Sequence, residues 1–169
     1  MASDADRSDT VDSMGEQSRA GFRGAGSVAV VELDAAETHS LRLEVLRADT
    51  PSRMVMFDGD DRPGTVHLGV RDGTIVIAVS TWIPSTYNGE PAVQLRGMAT
   101  AKDLQGRGVG AAVLEAGCAR AAKVAPLVWA RARDAALDFY LRHGFAIDGD
   151  GFIDETTKLP HHLIVRRLT

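Results

Sequence analysis

Three glycines at alternate positions, in the run Gln105-Gly106-Arg107-Gly108-Val109-Gly110, are the residues of this chain whose types and spacing speak first of chemistry. They lie between an apolar, strand-like run (Ala92 to Thr100) and an alanine-rich segment (Ala111 to Ala125) that reads as a helix. With no Cβ in the way, backbone N–H groups can converge on a small anion, and the positive end of the helix dipole faces it. A pyrophosphate is the natural guest, which points to a nucleotide-type cofactor. The bland alternative is a tight strand-to-helix connection that holds nothing.

Spacing excludes two familiar phosphate loops. A nucleoside triphosphatase loop ends in Gly-Lys-Ser/Thr, which sets an ammonium on the outer phosphates and a hydroxyl on the metal. Here Ala111 and Ala112 follow the glycines. A dinucleotide fold wants G-x-G-x-x-G after its first strand and an acidic residue about 20 positions on. This chain has G-x-G-x-G in mid-sequence, and the run Leu127 to Ala132 reaches no carboxylate before Asp134.

The pattern that fits is Gln/Arg-x-x-Gly-x-Gly/Ala, met by Gln105, Gly108 and Gly110. A second block follows in order, Ala135-Ala136-Leu137-Asp138-Phe139-Tyr140-Leu141-Arg142-His143-Gly144-Phe145. On these two blocks the chain resembles the GNAT (GCN5-related N-acetyltransferase) family over roughly residues 27 to 168. The resemblance implies acetyl-CoA as acetyl donor, with no metal. It places the cofactor on Met98, Ala99 and Thr100 of a splayed fourth strand and on Gln105, Gly106, Arg107, Gly108, Val109 and Gly110. Unpaired strand backbone is normally a liability, so a cofactor that fills the gap has a physical warrant.

Acetyl transfer to an amine requires a held thioester, a stabilised oxyanion, a deprotonated amine and a protonated leaving thiolate. Tyr140 matches the family's general acid, and a phenol stays protonated at neutral pH. Packing beside Leu137 and Leu141 is its structural alternative. Where many family members place a cofactor-contacting Asn, seven residues before the tyrosine, this chain has Arg133. No general base stands out: His39, His67, His143, His161, His162, Asp154 and Glu155 qualify by type alone, and water can serve. His161 and His162 are adjacent, so on a strand they point to opposite faces and do not chelate a metal together. Cys118, the only cysteine, lies among small helix residues and reads as packing. With no nucleophile setting in view, transfer is expected to be direct, onto a primary amine of a small molecule or peptide. A catalytically silent acyl-CoA sensor or interaction module on the same fold is the alternative. The resemblance implies that helix Glu37 to Arg47 and a loop from Pro84 to Pro91 border the acceptor, and the overall acidity tilts toward a cationic one.

The 169 residues amount to one ordinary domain, with 44% hydrophobic and 25% charged residues. A net charge of -4 argues against nucleic acid or an anionic membrane as partner. No apolar run approaches the roughly 20 residues of a membrane span. The N-terminus has neither an apolar signal core nor an acid-poor, Arg-rich character, so a cytoplasmic location is expected. Pairing as a homodimer stays open.

Residues 1–25, poor in bulky apolar side chains, are expected to be a disordered tail ahead of an acetyltransferase domain at 26–169. A first strand from Ser27 and the helix at Glu37 to Arg47, capped by Asp34 or Thr38, come next. Met54 to Phe57 reads as an edge strand. Thr65 to Val70 and Thr74 to Thr81 flank Asp72-Gly73, a hairpin signal. The fourth strand, the glycine loop and its helix follow, then a short strand at Leu127 to Ala130. Asp134 to Gly144 reads as a helix, and Phe145 to Leu168 as a closing hairpin. Antiparallel strands followed by strand–helix–strand–helix–strand is an α+β order. The resemblance makes it one GNAT-like domain: a central mixed, mostly antiparallel sheet flanked by helices, with a V between the fourth and fifth strands.

Overall fold

A computed structural model describes residues 28–169, so the expected tail at 1–25 and the domain's first residues lie outside the described part. Seven strands form one sheet in the order β1-β2-β3-β4-β5-β7-β6. They are β1 (Val31–Leu33), β2 (Val66–Asp72), β3 (Ile75–Tyr87), β4 (Glu90–Thr100), β5 (Leu127–Arg133), β6 (Ala146–Ile153) and β7 (Pro160–Arg167). Every neighbouring pair is antiparallel except β4 and β5, which run parallel. This is the mixed, mostly antiparallel α+β sheet expected.

Between β1 and β2 a 3-10 turn (Ala35–Thr38) leads through α1 (His39–Leu41) into a π-helical stretch (Arg42–Leu46). Its entry is held by Glu37, whose carboxylate accepts the Asp34 N–H at 2.8 Å. Helix α2 (Val109–Ala121) follows the glycine loop, and α3 (Leu137–Arg142) precedes β6. α2 feeds two hydrophobic clusters. Val109 and Val113 join Leu41, Ile77 and Val79, while Leu114 and Cys118 join Trp82, Val128 and Ile164. Only glycine lets it approach so closely, because a Cβ at Gly117 would meet Trp82 Cζ2 at 1.7 Å.

Two expectations fail, each for a local reason. Pro84 to Pro91 is no open loop: β3 continues to Tyr87, β4 begins at Glu90, and Asn88-Gly89 turns between them with φ of 50° and 81°. Two consecutive positive φ values are what a tight hairpin of this kind needs. The prolines are tolerated because each stands beyond a neighbour's end. β2 stops pairing at Val66↔Trp82, before Pro84, and β5 starts at Val93↔Val128, after Pro91. Met54 to Phe57 is irregular rather than an edge strand. Side chains take its carbonyls instead of a strand: Arg47 Nε donates to Met54 O at 2.7 Å and Arg42 Nη1 to Val55 O at 2.7 Å.

Candidate active site

β4 and β5 pair at only three positions, Val93↔Val128, Gln94↔Trp129 and Leu95↔Ala130. β4 then runs on to Thr100 and β5 to Arg133 without pairing with each other, so the two strands part as a V. On its other edge β4 bulges. Thr81 pairs Arg96 and Val79 pairs Ala99, so Ser80 stands opposite both Gly97 and Met98. Gly97 has φ +61, and a Cβ there would meet Arg42 Nε at 2.9 Å and Phe57 Cε2 at 3.0 Å. No other residue fits that corner without strain.

Two clefts open beside the V. The larger, about 560 Å³, takes in Met98, Ala99, Thr100, Gln105, Gly106, Gly108 and Gly110 from the predicted set. Gly108 begins α2 with φ +83 and no side chain to cap it. The first helical bond there is from Ala112 N–H to Gly108 O at 3.1 Å, so the N–H groups of Val109, Gly110 and Ala111 have no helical partner. No acidic residue sits in that first turn, and no carboxylate lines the cleft, whereas Arg133 and Arg142 do. Gln105 ties the loop to the strand end, its Nε2 donating to Thr100 O at 3.1 Å. Free backbone donors, a helix N-terminus and two guanidiniums fit a diphosphate. The two other predicted residues stand apart: the Arg107 side chain is exposed outside the cleft, and Val109 is buried in the core.

The smaller cleft, about 200 Å³, shares Leu46, Met98, Arg133, Ala136 and Tyr140 with the larger one. Tyr140 packs edge-to-face on Phe139 and Phe145, at 5.2 and 5.5 Å between ring centroids. Its hydroxyl has no hydrogen-bond partner among the described residues, and burial pushes its pKa up. A phenol so placed stays protonated. Arg133 Nη2 donates to Leu46 O and so bridges β5 to the helical stretch. Burial, the largest influence, lowers its pKa, against the pull of Asp49 and Asp154.

The histidines separate cleanly. His67 is buried between Thr81 Oγ1 and Asp60 O, and His162 meets Asp134 Oδ1 at 2.7 Å. His143 borders the larger cleft with Nδ1 on Phe139 O at 2.7 Å. Only His161 lines the smaller cleft. Its Nδ1 lies 2.9 Å from Leu159 O, and a carbonyl can only accept, so Nδ1 carries the proton and the neutral ring keeps its lone pair on Nε2. Cys118 is buried in α2 with Arg166 near its sulfur, and burial pushes its thiol up to about 11. That is no nucleophile. Among the described residues no group of three or more His, Cys, Asp or Glu is placed to hold a metal.

Reading the sequence alone missed the arginine cluster on Phe57 in the smaller cleft and the buried ion pair behind it. Arg42 is fully buried, in a two-point ion pair with Asp60 at 2.7 and 2.9 Å, and donates to Thr81 Oγ1 at 2.8 Å. Burial raises the Asp60 carboxyl, but bonds from Arg42 and from the Phe57 N–H outweigh it and hold the group below its usual value. Above this pair, the Phe57 ring carries three guanidiniums, Arg42 at 4.1 Å, Arg47 at 5.0 Å and Arg96 at 5.1 Å. One signal was present: Arg96 interrupts the apolar run of a buried strand, and a charge in that setting asks for a purpose. The Pro84–Pro91 segment, expected at the acceptor site, does not border this cleft. Its Tyr87 instead stacks on Trp129 and donates to Asp148.

A family model described as an acetyltransferase (GNAT) domain matches residues 55–147, just over half of the chain. Among curated proteins none matches the sequence. Solved structures supply the fold. Escherichia coli ElaA superposes with a TM-score of 0.70 at 16% identity, covering 83% of this chain and 99% of its own. An acyl-CoA N-acyltransferase from Pseudomonas aeruginosa gives 0.68 at 17%, covering 82% and 99%. An aminoglycoside 6'-N-acetyltransferase complexed with coenzyme A gives 0.65 at 11%, covering 83% and 97%. The parted strands, the glycine loop at a helix N-terminus and the matching family model converge: this chain belongs to the GNAT family of acyl-CoA-dependent N-acetyltransferases.

Proposed function

We propose that the protein transfers the acetyl group of acetyl-CoA directly to a primary amine of a small molecule or peptide. The observation that carries this reading is the pair of clefts meeting at Met98 and Tyr140, where β4 and β5 part. The larger takes the donor. Backbone N–H groups from Gly106 to Gly110 hold the pyrophosphate, with Arg107 adding charge from outside. The free edge of β4 at Met98, Ala99 and Thr100 pairs with the pantetheine amides and turns an N–H toward the thioester oxygen. The donor supplies an activated acyl carbon.

The amine enters from the smaller cleft. Nε2 of His161, directly or through a water, takes the proton that the ammonium must lose before attack. The C–N bond forms, the nitrogen gives up its second proton to solvent, the C–S bond breaks, and the Tyr140 hydroxyl gives its proton to the departing thiolate. Solvent then reprotonates the phenolate. Arg133, at the mouth of both clefts, keeps the helical stretch against β5 and adds positive charge near the donor.

Release of free CoA thiol from acetyl-CoA, followed with a panel of primary amines, tests this. Acceptor-dependent release supports transfer. Tight acetyl-CoA binding with silence toward every amine would make the protein a sensor instead.

A further inference from the structure

The acceptor-side cleft has a charge imbalance that amine chemistry alone leaves unexplained. Arg47, Arg96, Arg131 and Arg133 line it, against one carboxylate, Asp154. That carboxylate is already engaged. Its Oδ1 accepts the N–H groups of Thr156 and Thr157 at 3.0 and 2.8 Å, and Arg131 reaches Oδ2 at 3.2 Å. Arg47, Arg96 and Arg133 form no ion pair among the described residues. Their fixed bonds go to backbone carbonyls, of Met54, Asp58 and Leu46.

These are not solvated surface charges. Arg47 is 7% exposed and Arg96 half-buried, and burial is the first cause lowering the pKa of both; repulsion from Arg133 adds to it at Arg47, and the pull of Asp154 on Arg47 and of Asp58 and Asp60 on Arg96 does not offset it. Arg47 and Arg96 share the Phe57 ring, so their guanidiniums are held near each other at one end of the cleft. Guanidiniums withdrawn from water and not closed into an ion pair are costly, and an anion that both can bond relieves that cost. The net charge of the whole chain, -4, points the other way and is overruled locally.

Resting on the acetyl-transfer reading above, we propose that the acceptor is a small amino acid-type molecule, an amine bearing its own carboxylate. Arg47 and Arg96 hold the carboxylate, and the amine points past His161 toward Met98 and Tyr140. The cleft's 200 Å³ is below the roughly 300–1,000 Å³ of sites for drug-sized ligands, which favours a compact acceptor. Cationic diamines and polyamines would meet repulsion there.

The test compares free amino acids with their amides and with simple diamines as acceptors, for the wild type, Arg96→Gln and Arg47→Gln. The expected result is a preference for acid over amide in kcat/KM. Arg96→Gln should shrink it by roughly 10- to 100-fold, the range of a lost charged hydrogen bond, and Arg96→Lys should restore part of it. Arg47→Gln serves as the second probe, since Arg47 is the more buried of the two. Thermal shift by the same amino acids and amides, with CoA present, gives a readout that needs no turnover. Stabilisation by the acid alone, lost in Arg96→Gln, supports the proposal even if transfer is not seen. Amides or diamines accepted as well as acids would overturn the anionic acceptor and leave acetyl transfer standing. No acceptor used, together with no stabilisation by any acid, would overturn it as well.

Discussion

On one side of the β4–β5 gap the strand end at 98–100 and the glycine loop at 105–111 bring backbone and mostly short side chains to the wall, and Arg133, Phe139, Tyr140, Arg142 and His143 face them. On the other the wall is long charged side chains drawn from Arg47, Arg96, Arg131, Arg133, Asp154 and His161, on separate segments of the chain. On the proposed reading the donor is a large molecule held at its phosphate and amide groups chiefly by backbone N–H groups, with Arg133 and Arg142 adding charge. On the same reading the acceptor is recognised by its charge, which calls for guanidiniums, and the buried Arg42–Asp60 ion pair packs behind them against the Phe57 ring.

That difference can be broken deliberately. The largest effect should come from the buried ion pair. Asp60→Ala leaves Arg42 buried without its carboxylate, a change worth about 3–5 kcal/mol. Chemical denaturation should show that loss, and a cost under about 1 kcal/mol would mean the pair does not stabilise the fold as described. At the junction, Tyr140→Phe removes only the hydroxyl. It should lower kcat by about 10² to 10⁴, the range of general acid–base contributions, while acetyl-CoA still binds and circular dichroism stays unchanged. Undiminished turnover would reduce Tyr140 to a packing residue.

The smallest effect lies at the hairpin tip, outside both clefts. Burial first, and then the bond to Asp148, raise the Tyr87 hydroxyl to about 12. A raised folded-state pKa favours the protonated form, so this contribution is complete below about pH 10, the unfolded value, and is lost as pH rises through about 12. Tyr87→Phe should remove that segment of the pH–stability curve and leave acetyl-CoA binding as it was. A curve of unchanged shape between those limits would show that the Asp148 contact contributes nothing in solution.

The same contrast explains what was legible in the sequence. The succession of most strands and helices along the chain, the hairpin after β2 and the glycine loop all depend on neighbours in sequence, where alternation, turn chemistry and Cβ-free backbone leave a local mark. Seven of the nine predicted donor-side residues line one cleft for that reason. Arg107 and Val109 do not, because side chains of successive loop residues diverge even when their backbones converge. The hairpin at Asn88-Gly89 was obscured by Pro84 and Pro91, which read as breakers until the sheet shows their edges unpaired. The arginine cleft left almost no local trace. Arg47 and Arg96 meet over Phe57 only because a bulge at Gly97 and an irregular segment at 54–57 bring three distant parts of the chain to one ring. His161 was one of seven candidates by type until β7 turned it, and not His162, into the cleft.

The most direct measurement of the division into a backbone-built donor cleft and an arginine-built acceptor cleft is calorimetric titration of acetyl-CoA into the wild type, Ala111→Glu and Arg96→Gln. Ala111 lies in the first turn of α2 and lines the donor cleft. A glutamate there suits the helix N-terminus but repels a pyrophosphate. Binding by the wild type and by Arg96→Gln, with affinity weakened about 10- to 100-fold or lost in a folded Ala111→Glu, is the predicted result. Equal binding by Ala111→Glu, or binding lost in Arg96→Gln, would put the donor on the wrong side of the gap.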